Sequence, residues 1–418
     1  MGLIRTLPLP VRLPLIRAAL ATAWTLREPH WRELPTSLSA GPLIVSGFLG
    51  EALGVGRGAD ATANALEAAG YVVERQSLRP AQKAMWSPSR KPALTDRPGG
   101  VWLIHANAPE VEVALMAHDP ADWLTRYRIG YWAWETTQAP HAWVRSARWL
   151  DEIWVTSNFT ADAIRNTLEQ AGMGEQATKL RVMPHPVTRP ASVRPDPTRF
   201  GLKPGIKHAL VMFDGRSAFA RKNPWGAIEA WTRAFPEPRA DAHLVVKVRA
   251  LNTDASARRR LNALMSERPD LQLIETDLAN PEVWDLLASI DLLISLHRAE
   301  GFGLIPAEAM ALGKPVVMTG WSGVTDFADS DSAALVPFHL VPIKDPSGAY
   351  RTGQWAEPDL GVAAACIREL IDHPEVAARL GAAGPARIHA LSRAWAPDAL
   401  AAMPFATFVD NSANRPAP

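Results

Sequence analysis

The 418 residues predict an α/β protein built from two doubly wound domains, and three observations lead there. Short apolar runs of strand-forming residues alternate with helix-length stretches through both halves, as in a parallel sheet covered by helices on both faces. A proline-rich stretch without apolar periodicity, residues 189–204 with Pro190, Pro195, Pro197 and Pro204, divides the halves as a linker would. A hydrophobic content of 47% is enough to give each half its own core.

The first domain, 41–188, begins with Leu43-Ile-Val-Ser-Gly47, a run apolar enough for a strand buried on both faces. Phe48 to Gly58 follows as a glycine-rich loop containing Gly54 and Gly56. A helix from about Ala59 to Ala69, closed by Gly70, then leads to a strand over Tyr71–Glu74. Strand, glycine loop, helix and strand together form a Rossmann-type unit. Further strands are expected at Val101–His105, Arg128–Trp134 and Glu152–Ser157. A helix from Asn158 to about Ala171 and a strand at Leu180–Met183 close the half.

The second domain, 205–390, repeats the rhythm: strands at Ala209–Phe213, His243–Val248 and Leu271–Glu275, each followed by a helix, at Pro224–Phe235, Ser256–Glu267 and Pro281–Ser289. Asp291-Leu-Leu-Ile-Ser-Leu296 reads as a fourth buried strand and Val316–Thr319 as a fifth. The final segment, 391–418, is apolar enough from Trp395 to Val409 to pack as a closing helix.

Residues 1–40 form a basic, apolar arm in which Arg5, Arg12, Arg17, Arg27 and Arg32 are set among Leu, Ile and Trp and broken by Pro8, Pro10 and Pro14. Two readings stay open for it: peripheral contact with an anionic membrane surface, or packing on the body of the protein. No run approaches the eighteen or so uncharged residues that would span a bilayer. A net charge of +1 without a polybasic run argues against nucleic acid as a partner, and there is no zinc-type spacing. The one cysteine, Cys366, lies in an apolar helical pattern, so it is expected in a core; the absence of disulfides suits a cytoplasmic protein.

The densest chemistry lies after the fourth strand, in Glu300-Gly-Phe302-Gly303-Leu304-Ile-Pro-Ala-Glu308. Gly301 and Gly303 allow a tight turn and close approach to a ligand. Pro306 suits the first helical position and Gly313 the position after the last, which predicts a helix from about Pro306 to Leu312. Unpaired N–H groups at such a helix start suit a diphosphate. Two carboxylates beside an anion site need separate work, and accepting hydrogen bonds from sugar hydroxyls is the natural one.

This segment resembles the Glu-x7-Glu motif of retaining glycosyltransferases of the GT-B group that includes family four. The resemblance implies two Rossmann-like domains facing across a cleft, with the last helix, in 391–418, crossing back onto the first domain before a tail. It implies that Glu300 binds donor-sugar hydroxyls, that Glu308 binds the ribose, and that Phe302, Gly303 and Leu304 meet sugar and phosphates through their backbone. In the family, the loop corresponding to Gly54 and Gly56 reaches the donor phosphates, and a histidine resembling His105 contacts the donor sugar.

A second constellation, Gly215-Arg216-Ser-Ala-Phe-Ala-Arg221-Lys222, follows the strand ending at Asp214. Loops at the carboxyl ends of parallel strands are where ligands bind in open α/β sheets. Arg216 offers a planar fork and Lys222 a compact charge, which suits a diphosphate. The spacing resembles the Arg and Lys that neutralise the leaving diphosphate in retaining GT-B enzymes, with Arg221 the alternative if the loop is shifted by one.

With those cations and a helix start, the leaving group is stabilised without a metal; Asp329-Ser-Asp331 has a metal-type spacing but reads as loop chemistry. No cofactor is expected beyond the nucleotide-sugar donor, UDP- or GDP-linked. Trp132, Trp134 and Glu135 are candidates for the acceptor side, and the surrounding segment resembles bacterial transferases of surface polysaccharides. The expected acceptor is therefore a saccharide or lipid-linked saccharide. A sugar phosphorylase, a nucleotide-sugar epimerase and a non-catalytic nucleotide-sugar binder share the fold and stay open.

Overall fold

The computed structural model describes residues 9–51, 54–86, 91–215, 219–251 and 254–410. They fall into two compact units: one runs to Pro186 and resumes at Ser392, and the other spans Val187–Leu391. Each unit is built on a six-stranded parallel sheet.

In the first unit the strands are β1 (Leu43–Gly47), β2 (Val73–Ser77), β3 (Val101–His105), β4 (Tyr127–Trp132), β5 (Glu152–Val155) and β6 (Leu180–Val182). Their order is β2-β1-β3-β4-β5-β6, and every pairing is parallel. β1, β3, β4 and β5 are buried along their whole length, which is why they read as continuous apolar runs rather than alternating ones. The register sets Gly47 opposite His105, so two carboxyl ends lie side by side.

The helix after β1 corrects the sequence reading. It runs Gly54–Ala68, beginning about five residues earlier than expected, so Gly54 and Gly56 lie in its first turn and not in an open loop. Gly56 is required by proximity: a Cβ there would come within 2.5 Å of the Glu51 carbonyl and 2.6 Å of the Phe48 carbonyl.

The arm is a helix over Leu9–Glu33 that contains Pro14 and Pro29; residues 1–8 lie outside the described residues. Trp24 and Trp31 are buried, and Trp31 makes edge-to-face contacts with Trp24, Trp123 and Trp149 at 5.0–5.5 Å. Arg27 donates to the Met85 carbonyl at 3.0 Å. Residues 20–31 therefore pack on the body, while Val11, Leu15 and Leu26 stay exposed. Among the described residues no helix is long and apolar enough to cross a membrane.

The tail rejoins the same unit. Trp395, Leu400, Phe405 and Val409 enter its core, and the Trp395 indole donates to the Pro184 carbonyl at 2.7 Å.

The second unit contains β7 (Lys207–Asp214), β8 (Ala242–Arg249), β9 (Leu271–Ile274), β10 (Leu292–Ser295), β11 (Val316–Thr319) and β12 (Ala334–Val336), in the order β12-β11-β10-β7-β8-β9. One face carries a core around Val246, Trp231 and Ile367, and the other a core around Leu286, Met310 and Val316. Cys366 packs against the first of these, as its helical pattern predicted.

Two features depart from the sequence reading. Residues 189–204 are not a free linker, because the Arg194 N–H binds Asp285 at 2.8 Å, the Asp196 N–H binds Ser289 at 2.9 Å, and Phe200 and Leu202 enter the second core. An antiparallel hairpin of β13 (Phe338–Pro342) and β14 (Gln354–Pro358), which the sequence had not signalled, follows β12.

Candidate functional site

The site grows from the carboxyl ends of β7, β10 and β11 in the second unit. After β10 the chain runs Leu296, His297, Arg298, Ala299 and Glu300, and it is tied to the turn that follows β7. Asn223 makes the first tie: its Nδ2 donates to the Leu296 carbonyl at 2.9 Å, while its Oδ1 accepts the Gly226 N–H at 3.2 Å and caps the helix Pro224–Ala234. Arg298 makes the second, its backbone N–H donating to the Arg221 carbonyl at 2.7 Å.

These ties bring Arg221, Lys222 and Glu300 together. Arg221 Nη1 lies 3.2 Å from Glu300 Oε2 and 2.8 Å from the Ala299 carbonyl, and the Lys222 ammonium pairs with Glu300 Oε1. The Glu300 backbone is held as well: its N–H donates to Ser322 Oγ at 2.9 Å, and its carbonyl accepts the Gly323 N–H at 2.9 Å. Burial alone would raise the Glu300 pKa; Lys222 and Arg221 outweigh it and hold the carboxyl down at about 2. His297, fully buried beside this cluster, is pushed down to about 4, chiefly by burial, so its ring is neutral near pH 7.

The turn after Glu300 is built as the glycine pattern predicts. Gly303 has φ +95°, and a Cβ there would lie 2.5 Å from Val324 Cγ1. The helix runs Leu304–Ala311, starting two residues earlier than expected. Its first turns hold Leu304, half-buried, and Glu308, which is buried. The Phe302 side chain is a core residue against Phe327 at 5.3 Å, leaving its backbone as the part that faces the turn.

Three non-glycine residues among those described have positive φ: Asn223, Ala250 and Ser322. All three follow carboxyl ends of strands in this sheet, and backbone strain of this kind concentrates at functional sites. Asn223, Ser322 and Arg298 escaped the sequence reading, because nothing in their spacing distinguishes them from ordinary loop residues. The one available signal was proximity to the Arg221–Lys222 and Glu300 segments. Arg216 lies outside the described residues. Asp329 caps a turn, accepting from Ser332 Oγ at 2.8 Å and pairing with Arg387, in keeping with loop chemistry.

The carboxyl edge of the first unit holds a separate cluster. His105, at the end of β3, is 3% exposed and packs edge-to-face on Tyr131 at 4.3 Å and in a stack on His185 at 5.6 Å. Tyr131 donates to the Met183 carbonyl at 2.5 Å and sits 3.3 Å from His185 Nδ1. Burial lowers both imidazole pKa values, His105 well below the ordinary range and His185 to about 4. Gly58 admits the pair: a Cβ there would lie 2.8 Å from His185 Cε1 and 3.0 Å from His105 Cε1. Neither His105 ring nitrogen has a hydrogen-bond partner among the described residues.

The aromatic platform expected beside these groups is corrected. Trp132 and Trp134 are buried, packing on Trp143 at 5.4 and 5.0 Å, and the Trp134 indole donates to Thr136 Oγ1 and the Gln138 carbonyl, both at 2.8 Å. Their apolar area serves the core; of the three candidates only Glu135 is half-buried.

A family model described as Family 4 Glycosyltransferase in conflict systems matches residues 161–383, just over half of the chain. The chain belongs to this family. The family-4 chain shares the GT-B fold with solved structures. Sucrose-phosphate synthase from Thermosynechococcus elongatus aligns with TM-score 0.59 at 15% identity, covering 86% of this chain and 96% of that one. A glycosyltransferase from Rickettsia africae gives 0.59 at 13%, covering 87% and 96%. Anabaena HepE in complex with UDP and glucose gives 0.55 at 13%, covering 85% and 96%. Against Staphylococcus aureus TarM the family-4 chain spans 54% of that protein's length, with TM-score 0.49. Comparison with curated protein sequences gives no match.

Proposed function

We propose that this family-4 chain is a retaining, metal-independent glycosyltransferase that moves a hexose-type sugar from a UDP- or GDP-sugar to a saccharide or lipid-linked saccharide, in surface polysaccharide or glycoconjugate synthesis. The observation that carries this reading is the convergence of Lys222 and Arg221 on Glu300 at the carboxyl edge of the second sheet. Departure of a nucleoside diphosphate builds negative charge that must be met by fixed cations. Lys222, with Arg216 in the same loop, supplies that charge, and the helix start at Gly303–Leu304 adds backbone dipoles. Glu300, ionised at any physiological pH, accepts hydrogen bonds from sugar hydroxyls while it orients Lys222. Glu308, buried one helical turn beyond Leu304, takes the ribose-binding role in this reading. His105, held neutral, suits an uncharged sugar hydroxyl better than an anion. The solved complex of Anabaena HepE with UDP and glucose supports a uridine donor by analogy of fold.

In a retaining reaction the acceptor oxygen attacks from the face the diphosphate leaves, and a donor phosphate oxygen takes the acceptor's proton. The new bond joins acceptor oxygen to the anomeric carbon, the old anomeric C–O bond breaks, and the nucleoside diphosphate leaves with its electron pair. The chain's own work is to hold the sugar and stabilise the departing charge.

The exposed Val11, Leu15 and Leu26 on the Leu9–Glu33 helix, with Arg12 and Arg17, support peripheral contact of a cytoplasmic protein with an anionic membrane. Sedimentation with phosphatidylserine vesicles, lost in Leu15→Asp/Leu26→Asp, tests this part separately.

The main test is a thermal-shift and calorimetry screen of UDP, GDP, ADP and their sugar conjugates, since a ligand that binds only the native state stabilises it. Binding of one nucleotide family, lost in Lys222→Ala and unaffected by EDTA, is the expected result. Binding of none, with turnover dependent on inorganic phosphate, would replace transfer with phosphorolysis.

A further inference from the structure

The turn bearing the two cations is too short to hold itself. Phe219–Lys222 is one helical turn, ended by Asn223 in the left-handed region, and a single turn fixes several dihedral angles for very few internal hydrogen bonds. Something outside it must hold Lys222 against Glu300. Beside Asn223, Arg298 contacts the turn from outside, and every polar group it has is engaged. Its backbone N–H donates to the Arg221 carbonyl at 2.7 Å, and its Nη1 donates to the Ala220 carbonyl at 2.7 Å. On the other side its carbonyl accepts the Ala356 N–H at 2.8 Å, and its Nε and Nη2 meet Glu357 Oε2 and Oε1 at 2.6 and 2.8 Å.

Arg298 thus rivets β14 to the cationic turn. The same hairpin touches the turn a second time through Tyr350, whose ring centre lies 5.7 Å from the Arg221 guanidinium carbon. The segment carrying Tyr350 is stitched by Asp345, which accepts N–H bonds from Ser347, Ala349 and Tyr350 at 2.9–3.0 Å.

We propose that the Arg298–Glu357 pair is a positioning element: the hairpin of β13 and β14, acting through it, fixes the Arg221–Lys222 turn so that both cations meet Glu300. Arginine is needed because only a planar fork can hold a carboxylate with two parallel bonds and still present Nη1 to a carbonyl. The consequence for turnover rests on the transfer reading above; the geometry does not.

The test uses the full-length protein without donor. Competitive acetylation followed by peptide mass spectrometry gives the reactivity of the Lys222 amine relative to exposed Lys83. In Glu357→Gln, and independently in Arg298→Lys, Lys222 is expected to label faster by about tenfold, the rate equivalent of one lost charge-assisted bond. The charge-swapped Arg298→Glu/Glu357→Arg protein restores the ion pair but not the donor to the Ala220 carbonyl. It should regain thermal stability and keep the fast Lys222 labelling, which a merely structural pair would not do. Should Glu357→Gln fail to fold, Arg298→Lys reports alone. Unchanged Lys222 labelling in the folded variants would overturn the proposal. Faster labelling in a protein whose parent uses no nucleotide sugar would leave the positioning role standing and remove the transfer reading.

Discussion

Arg221 Nη1 stands 3.2 Å from Glu300 Oε2 and 2.8 Å from the Ala299 carbonyl, so one buried guanidinium joins the turn after β7 to the loop after β10. Lys222, one residue on, takes the other carboxylate oxygen. A carboxylate with a cation on each oxygen is both an anchor and a titratable part of the fold.

Glu300 should make the protein acid-sensitive in a defined window. Its folded pKa of about 2 lies below the ordinary 4.5, so its stabilising contribution is complete above pH 4.5 and is lost as pH falls towards 2. In Glu300→Gln the unfolding free energy should drop by roughly 1–3 kcal/mol at pH 7, the cost of leaving charged partners unmet. Its decline between pH 4.5 and 2 should be shallower than in the parent, as urea titrations would show.

The buried imidazoles act at higher pH with the same direction of change. Unfolded His185 takes a proton near 6.5 and folded His185 only near 4, so acidification across that interval favours the unfolded chain. Each such group contributes a slope of about 1.4 kcal/mol per pH unit where the two states differ by a full proton. His185→Asn should flatten the stability profile between pH 6.5 and 4 relative to the parent.

Gly303 should tolerate no side chain. A Cβ would combine positive φ with a 2.5 Å approach to Val324 Cγ1, so Gly303→Ala should lose about 1–3 kcal/mol of stability. It should also weaken nucleotide binding by displacing the N-terminus of the Leu304–Ala311 helix, which calorimetry would measure.

Trp132 should behave as core. Trp132→Ala should cost about 3–5 kcal/mol in a denaturant midpoint experiment, as large-to-small core changes do. A stable Trp132→Ala protein with weakened acceptor binding would instead restore the aromatic platform.

What could be read from the sequence follows from the range of the forces involved. Buried parallel strands are continuous apolar runs, so β1, β3, β7, β8 and β10 were visible, and Glu300 and Lys222 could each be placed after such a strand; their pairing was not legible, because it depends on β7 and β10 being neighbours in the sheet. The start of the Gly54–Ala68 helix was misplaced because three glycines read as a loop, whereas tertiary contact at Gly56 and Gly58 accommodates them within a helix. The roles of Ser322, Arg298 and Glu357 were invisible, since each depends on a partner 22 to 78 residues away. Trp132 and Trp134 were ambiguous because an aromatic run serves a core or a sugar equally well until its neighbour Trp143 is placed.

Retaining transfer driven by the Lys222–Glu300 cluster can be read out by real-time proton NMR of donor hydrolysis, with water standing in for the acceptor. Incubated with the α-linked nucleotide sugar that stabilises it, the protein should release the α-anomer first, with the rate falling by about a hundredfold or more in folded Lys222→Ala and Glu300→Ala proteins. Initial release of the β-anomer would make the transfer inverting, and parental rates in both variants would place the chemistry away from Lys222 and Glu300.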